Sequence, residues 1–431
     1  MLQRILFSYT SSGIEMKYII IAIGDELLAG QVTDTNSGAI ARMLEPAGWE
    51  LLRVEVIADT AEALEETLTR ALADVHVVLT TGGLGPTKDD QTKQTLCRLF
   101  GGKLIESPEV LENVKRVVEA RSLKLNELTA RQAMVPDNAR IIQNYVGTAP
   151  LLWFERPDNR VVVCMPGVPF ETIQMMEHSV KPALLERFPS RETVVRHTIV
   201  TFNISESRLA QELSPWEDNL PPYAHLAYLP KSGIVRLRLD GHGSESIIPE
   251  MERLRNELIG LIPEGHLMAS EDVTPEERML ELLRRHNLTI STAESCTGGT
   301  IASRICAIPG ASQSFRGGIV AYSNELKTAA LGVNAADIEA KGAVSGDVVE
   351  QMALGAIRLT GSDYAVATSG IAGPGGGSEE KPVGTVWMAI ASHEGVQSEC
   401  FRFPGTRDRV IERAATTAIL NVIRKLSNLN D

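Results

Sequence analysis

Residues 75–96 read VHVVLTTGGLGPTKDDQTKQTL. The first seven are apolar or β-branched with hardly a polar break, the pattern of a strand covered on both faces. The run stops at Gly82, Gly83 and Gly85, and a helical pattern begins after Asp90. A buried strand that passes through a glycine turn into a helix is the repeating unit of a parallel sheet, because parallel neighbours need a crossover. Working outward, KYIIIAIG (17–24) is a second buried strand and WELLRVEVIAD (49–59) a third. Between them lie TNSGAIARMLEPAG (35–48), a capped helix ending at Gly48, and TAEALEETLTRALAD (60–74), an amphipathic helix. This β-α-β-α-β rhythm predicts a three-layer α/β domain, with ligands bound where strand C-termini meet helix N-termini.

The chain has 431 residues, too many for one core. We expect an N-terminal α/β domain over 16–180, a small α+β module of two or three strands and two helices over 181–268, and a second α/β domain over 269–431. The last opens at TPEERMLELLRRHNL, with Thr274 as N-cap and Pro275 in the first helical position. Residues 1–15 read as a disordered extension or an over-called start, with the first domain beginning at Met16. The net charge is −13, from 42 basic against 55 acidic residues, which disfavours a broad nucleic-acid or anionic-membrane surface. The five cysteines are odd in number, scattered and without a C-x-x-C pair, so a reducing cytoplasm is expected and a disulfide framework is not. No apolar run is long enough to span a bilayer.

Two regions carry chemistry. In TISTAESCTGGTIASRI (289–305) a strand delivers Ser295 and Cys296 to a glycine turn, and either could be a nucleophile. A serine triad needs a histidine, but the only nearby one, His286, lies before the strand. Lys327 or Tyr322, in AYSNELK, could replace it, the lysine once burial has lowered its pKa. A thiolate at Cys296 would need a cation beside it. Main-chain N–H groups at Thr297, Gly298 and Gly299 could hold an oxyanion or phosphate. The glycine-rich stretch SGIAGPGGGSEEKPVGTVWMAI (369–390), with Gly373, Gly375 and Gly376, suggests close approach to a ligand or a mobile lid. Arg407 is a candidate counter-ion for a phosphate. The plainer alternative is a strand–helix turn with a capping serine, a surface lysine and a flexible loop.

In the N-terminal region, Thr81, Gly82, Gly83, Gly85, Thr87 and Asp90, with Asn36, form a candidate phosphate site at a helix start. Asp25, Glu26 and Asp89 are candidate ligands of a divalent metal bridging phosphates. Asp89 and Asp90 could instead simply cap the helix.

TAESCTGG, AYSNELK, GAVS and SGIAGPGGGSEEKPVGTV together resemble the CinA C-terminal domain, the PncC-type nicotinamide mononucleotide deamidases, over about residues 274–424. The resemblance implies hydrolysis of nicotinamide mononucleotide to nicotinate mononucleotide and ammonia, without a cofactor. It implies Ser295 as nucleophile, Tyr322 and Lys327 as partners, and Ser312 as a further site serine. The N-terminal motifs, with NYVGTAP and MPGVPFE, resemble the molybdopterin-binding fold in its CinA form, and the middle module resembles the family's KH-like insert. The whole chain after Met16 is thus similar to full-length CinA. The resemblance implies a homodimer and an N-terminal ADP-ribose pyrophosphatase that uses a divalent metal, with or without a monovalent cation. Asp25 departs from the family, where many members carry Thr. KH-like modules invite RNA, but no G-x-x-G loop with basic flanks lies between Arg191 and Pro263. The competing readings are a molybdopterin-handling enzyme and a non-enzymatic competence or damage-response protein.

Overall fold

The computed structural model describes residues 16–86, 91–189 and 193–427. The expectation for residues 1–15 lies outside them. The chain divides into two compact units, one built mainly of residues up to 195 and the other of most of the remainder.

In the first unit, β1 (Lys17–Ile23) lies between β2 (Glu50–Ile57) and β3 (Val77–Thr81), parallel to both. A short antiparallel pair, β4 (Leu104–Glu106) and β5 (Met134–Pro136), stands apart. β6 (Arg140–Ile142), β7 (Leu151–Glu155) and β8 (Val161–Met165) complete a six-stranded sheet of order β2-β1-β3-β8-β7-β6. β8 is parallel to β3, β7 is reversed, and β6, antiparallel to β7, runs with the rest, so the sheet is parallel-rich rather than wholly parallel. The unbroken apolar run of β1 follows from burial on both sides: Ile19, Ile21 and Ile23 enter one core, Tyr18 and Ile20 the other. Thr60 caps the helix Ala61–Asp74, and Gly48 takes the left-handed conformation that ends the preceding helical segment.

The second unit holds two sheets. β9 (Thr193–Phe202), β10 (Ala224–Lys231), β11 (Ile234–Gly243) and β12 (Leu267–Ala269) form one in the order β10-β11-β9-β12, one strand more than the sequence suggests. β13 (Ile290–Glu294), β14 (Phe315–Val320), β15 (Tyr364–Gly370), β16 (Thr385–Ser392) and β17 (Gly395–Arg402) form the other, in the order β14-β13-β15-β16-β17. β14, β13 and β15 are parallel, β16 is antiparallel to β15, and β17, antiparallel to β16, returns to the direction of the first three. One face packs Ile290 and Val366 against the helices Pro275–Arg285 and Arg407–Ser427, in a core that also takes in Val200, Phe202, Ile234 and Met268. The other face is built from small residues: Ala293, Ala365 and Ala367 meet the helix Gly346–Thr360. Thr274 and Glu277 form a reciprocal capping box at the head of Pro275–Arg285, with Pro275 in the first turn as expected.

Candidate active site

β13 is the central parallel strand of its half-sheet, and its C-terminal end carries Glu294, Ser295 and Cys296. The Ser295 N–H donates to the Thr368 carbonyl of β15 at 2.9 Å, which fixes the serine at the sheet edge with 8% of its surface exposed. Gly298 and Gly299 have φ of 62° and 94°, the left-handed values that turn the strand into the helix Thr300–Cys306.

The donors of that turn are mostly taken. The Glu294 side chain is fully buried, and one of its carboxylate oxygens accepts from the N–H groups of Gly299 (3.0 Å) and Ile301 (3.1 Å) and from the Thr297 hydroxyl (2.7 Å). The other accepts from Ala302 N–H at 2.8 Å. Gly298 N–H goes to the Ser295 carbonyl. This corrects the expected use of Gly298 and Gly299, which offer no free N–H. The Thr297 side chain is locked between Glu294 and Thr368. Of the main-chain donors that follow Ser295, that of Thr297 bonds to no described residue, and that of Cys296 lies against its own thiol. Glu294, the organiser of the turn, escaped the sequence reading; its signal was a carboxylate placed at a strand end just before a helix start.

Lys327 sits in the first turn of the helix Asn324–Leu331 and is 1% exposed. Its ammonium donates to the Tyr322 carbonyl at 3.2 Å. Burial holds its pKa below the ordinary lysine value, against smaller opposing effects of Cys296 and Glu325. The same burial pushes the Cys296 thiol up to about 12, so Cys296 stays a neutral thiol at neutral pH. The Ala321 N–H donates to the Glu294 carbonyl at 2.9 Å, so Tyr322, whose carbonyl holds the ammonium, follows directly on the chain pairing that leads to Ser295.

Tyr322 is 59% exposed, and its phenol accepts from the Arg407 guanidinium at 2.8 Å rather than meeting the lysine. A second Arg407 nitrogen donates to the Gly373 carbonyl at 2.7 Å. Three segments far apart in sequence thus converge: Tyr322, the 373–377 loop and Arg407. Gly373 has φ 87°, and a Cβ there would come within 2.6 Å of Val383, so the loop root needs glycine. Gly375 and Gly376 are exposed, and a Cβ on Gly375 would meet nothing within 4 Å.

Ser312 is a second correction. β14 runs parallel to β13, with Phe315 level with Ile290 and Val320 level with Glu294. Ser312 precedes β14, so it lies at the opposite edge of the sheet, roughly 15 Å or more from Ser295 within one chain.

The first unit has its own cavity, of about 640 Å³, at the C-terminal ends of β1, β3 and β8. Asn36, Thr81, Gly82, Gly83, Gly85, Asp25 and Glu26 all line it. The Asn36 amide donates to the Thr81 hydroxyl and the Gly167 carbonyl, both at 2.8 Å, which leaves its buried oxygen without a partner. Gly82 has φ 100°, and a Cβ there would strike the Ile23 carbonyl at 2.1 Å. Thr87, Asp89 and Asp90 lie outside the described residues. Among the described residues no three His, Cys, Asp or Glu side chains converge as a metal cage. Asp25 and Glu26 supply two carboxylates at the cavity, a number that suits Mg²⁺ shared with phosphate oxygens. Glu171, buried and bonded by Asn144 at 2.7 Å, also lines the cavity and was not singled out from the sequence. No helix of the described residues is long and apolar enough to cross a membrane.

The CinA C-terminal domain family matches residues 272–426, and the family described as "probable molybdopterin binding domain" matches residues 19–186. A CinA-like protein of Flavobacterium psychrophilum is 40% identical over 414 residues, covering 95% of this chain and 99% of the relative. A CinA-like protein of Cytophaga hutchinsonii is 38% identical over 408 residues, covering 94% and 97%. Among solved structures, a competence-damaged protein (CinA) superfamily member from Klebsiella pneumoniae is 34% identical and covers 36% of this chain and 99% of its own, with a TM-score of 0.35.

Proposed function

This chain belongs to the CinA family, and from that premise and the Ser295 geometry we propose that its C-terminal domain hydrolyses the carboxamide of nicotinamide mononucleotide, giving nicotinate mononucleotide and ammonia. The observation that carries this reading is the buried Lys327 beside the Ser295–Cys296 turn, its ammonium destabilised by burial. A lysine in that state can serve as a base where no histidine is at hand. Ser295 attacks the carboxamide carbon while Lys327 takes the hydroxyl proton and returns it to the leaving ammonia. Water then releases the acyl group. The N–H groups of Cys296 and Thr297 suit the oxyanion, since they follow the nucleophile directly and neither bonds to another residue. Tyr322 works from both ends: its carbonyl holds Lys327 and its phenol holds Arg407. Among the described residues no carboxylate pairs with Arg407, which leaves its charge for the 5′-phosphate.

The same reading gives the N-terminal cavity a diphosphate ester, with ADP-ribose cleaved to AMP and ribose 5-phosphate. Asp25 and Glu26 would hold a divalent ion there, and the ion would neutralise phosphoryl charge. Asn36, Thr81 and the glycines of the 82–85 turn would position the phosphates.

Ammonia release from nicotinamide mononucleotide by the wild type, Ser295→Ala and Cys296→Ala tests the first assignment. Ser295→Ala should lose about a thousand-fold or more, and Cys296→Ala should stay within about ten-fold. Retained activity in Ser295→Ala, or a silent wild type, sinks the reading.

A further inference from the structure

The cavity of the first unit offers glycines and hydroxyls to phosphate, yet part of its wall is a carboxylate without a balancing cation. Glu171 stands in the first turn of the helix Pro169–Met175 and is 8% exposed. Among the described residues no lysine, arginine or histidine pairs with it. One of its oxygens accepts from the Asn144 amide at 2.7 Å. Asn144 is itself buried and locked: the same nitrogen donates to the Ala149 carbonyl at 3.0 Å, and its oxygen accepts from the N–H groups of Val146 and Gly147. A partner held by three other bonds fixes the carboxylate in turn. The loop is shaped around it, because a Cβ on Gly147 would come within 2.1 Å of the carboxylate. The second Glu171 oxygen bonds to no described residue and is not sealed from solvent, so it opens on the cavity that the residue lines. The phosphate-binding candidates adjoin this wall. A Cβ on Gly167 would meet the Gly82 Cα at 3.2 Å, and the Gly167 carbonyl accepts from Asn36 at 2.8 Å. The Thr81 and Thr172 hydroxyls share the Pro166 carbonyl, at 3.0 and 2.6 Å.

A negative charge here works against phosphate binding, and glutamine would accept from Asn144 equally well without it. Glu171 also forms no three-residue metal cage with Asp25 and Glu26 among the described residues. A fixed carboxylate with one free oxygen in a hydrolytic site has a different use. We propose that Glu171 is the general base of the diphosphate hydrolysis assigned to this cavity, an inference that rests on that assignment. Its free oxygen takes a proton from a water molecule as the water oxygen bonds to one phosphorus. The bond from that phosphorus to the bridging oxygen breaks, and its electron pair leaves with the departing phosphate monoester. The proton then passes from Glu171 to solvent. Asn144 acts only through Glu171, as a positioning residue.

Two measurements on the full chain with Mg²⁺ test this: steady-state cleavage of ADP-ribose, and calorimetric titration with the uncleavable analogue that has a methylene bridge between its phosphorus atoms. Glu171→Gln should lose about a hundred-fold or more in kcat while binding the analogue as tightly as the wild type or more so. Glu171→Asp keeps the charge but withdraws the oxygen by one methylene, and should lose about ten-fold or more in kcat. A kcat within about three-fold of wild type in either folded variant overturns the proposal. So does analogue binding weakened about ten-fold or more in Glu171→Gln, which would make Glu171 an acceptor for ribose hydroxyls instead. Thermal melting identifies the folded variants; if only Glu171→Asp folds, it decides, and if neither folds, the residue is structural and the proposal falls. A wild type that cleaves no ADP-ribose removes the assignment of the cavity itself and the base with it, an outcome distinct from the others because wild type and variants are then equally silent.

Discussion

Replacing Glu294 by alanine strands three main-chain N–H groups, those of Gly299, Ile301 and Ala302, and the Thr297 hydroxyl in the interior. Each buried donor left unmade costs about 1–3 kcal/mol. Thr297 retains Thr368 as a partner, and water entering the vacated space relieves part of the rest. A net loss of about 3–6 kcal/mol follows for Glu294→Ala. Glutamine is a finer probe. Its oxygen can keep the position that accepts three donors, but its NH₂ then faces the Ala302 N–H, and the charge that strengthened every bond is gone. Against this, an uncharged group is less costly to bury. Glu294→Gln should therefore lose about 1–3 kcal/mol. At about 2–4 °C per kcal/mol for a domain of this size, melting should fall by about 2–12 °C for Gln and about 6–24 °C for Ala. Thermal melting of the three proteins at neutral pH reads this directly. If Glu294→Ala melts with the wild type, or the two variants fall equally, the carboxylate is not what holds the turn that presents Ser295.

Three further outcomes follow from particular contacts. Deamidase kcat/KM should rise with pH to a plateau reached below the ordinary lysine range, because burial lowers the Lys327 pKa, and Lys327→Met should abolish the plateau. The sign for stability agrees: between the lowered folded pKa and the unfolded value the unfolded chain binds more protons, so this group adds stability as pH rises and withdraws it as pH falls through the folded pKa. Lys327→Met should flatten that slope in melting experiments across pH. Arg407→Gln should raise KM for nicotinamide mononucleotide by about 10–100-fold while barely changing that for nicotinamide riboside, which has no phosphate; equal effects on both would remove Arg407 from the phosphate. Gly355→Ala lies inside the helix Gly346–Thr360, where alanine ordinarily gains about 1 kcal/mol; here its Cβ would meet the Leu331 carbonyl oxygen at 2.0 Å, so denaturant titration should show a loss of about 2 kcal/mol or more.

The α/β class was legible in the sequence because burial on both faces writes itself as unbroken apolar runs, as in β1, and because caps such as Thr60 and Thr274 act over three residues. Ser295, Tyr322, Lys327 and Arg407 were nameable for a related reason: each sits in a short local motif at the end of a strand or the start of a helix. Their arrangement was not. Whether a lysine is exposed or buried depends on what packs over it, and nothing within five residues of Lys327 records that. Ser312 reads as a neighbour of the site in sequence, yet the parallel pairing of β13 and β14 sends it to the far edge. The helix start after Gly299 looked open to a ligand, and only the fold shows the Glu294 carboxylate filling it. The bond from Arg407 to Tyr322 spans 85 positions, so no local pattern announces it. Local chemistry is short-ranged and repeats along the chain, so sequence determines it. The partners of a buried charge are set by long-range packing, which only the tertiary structure decides.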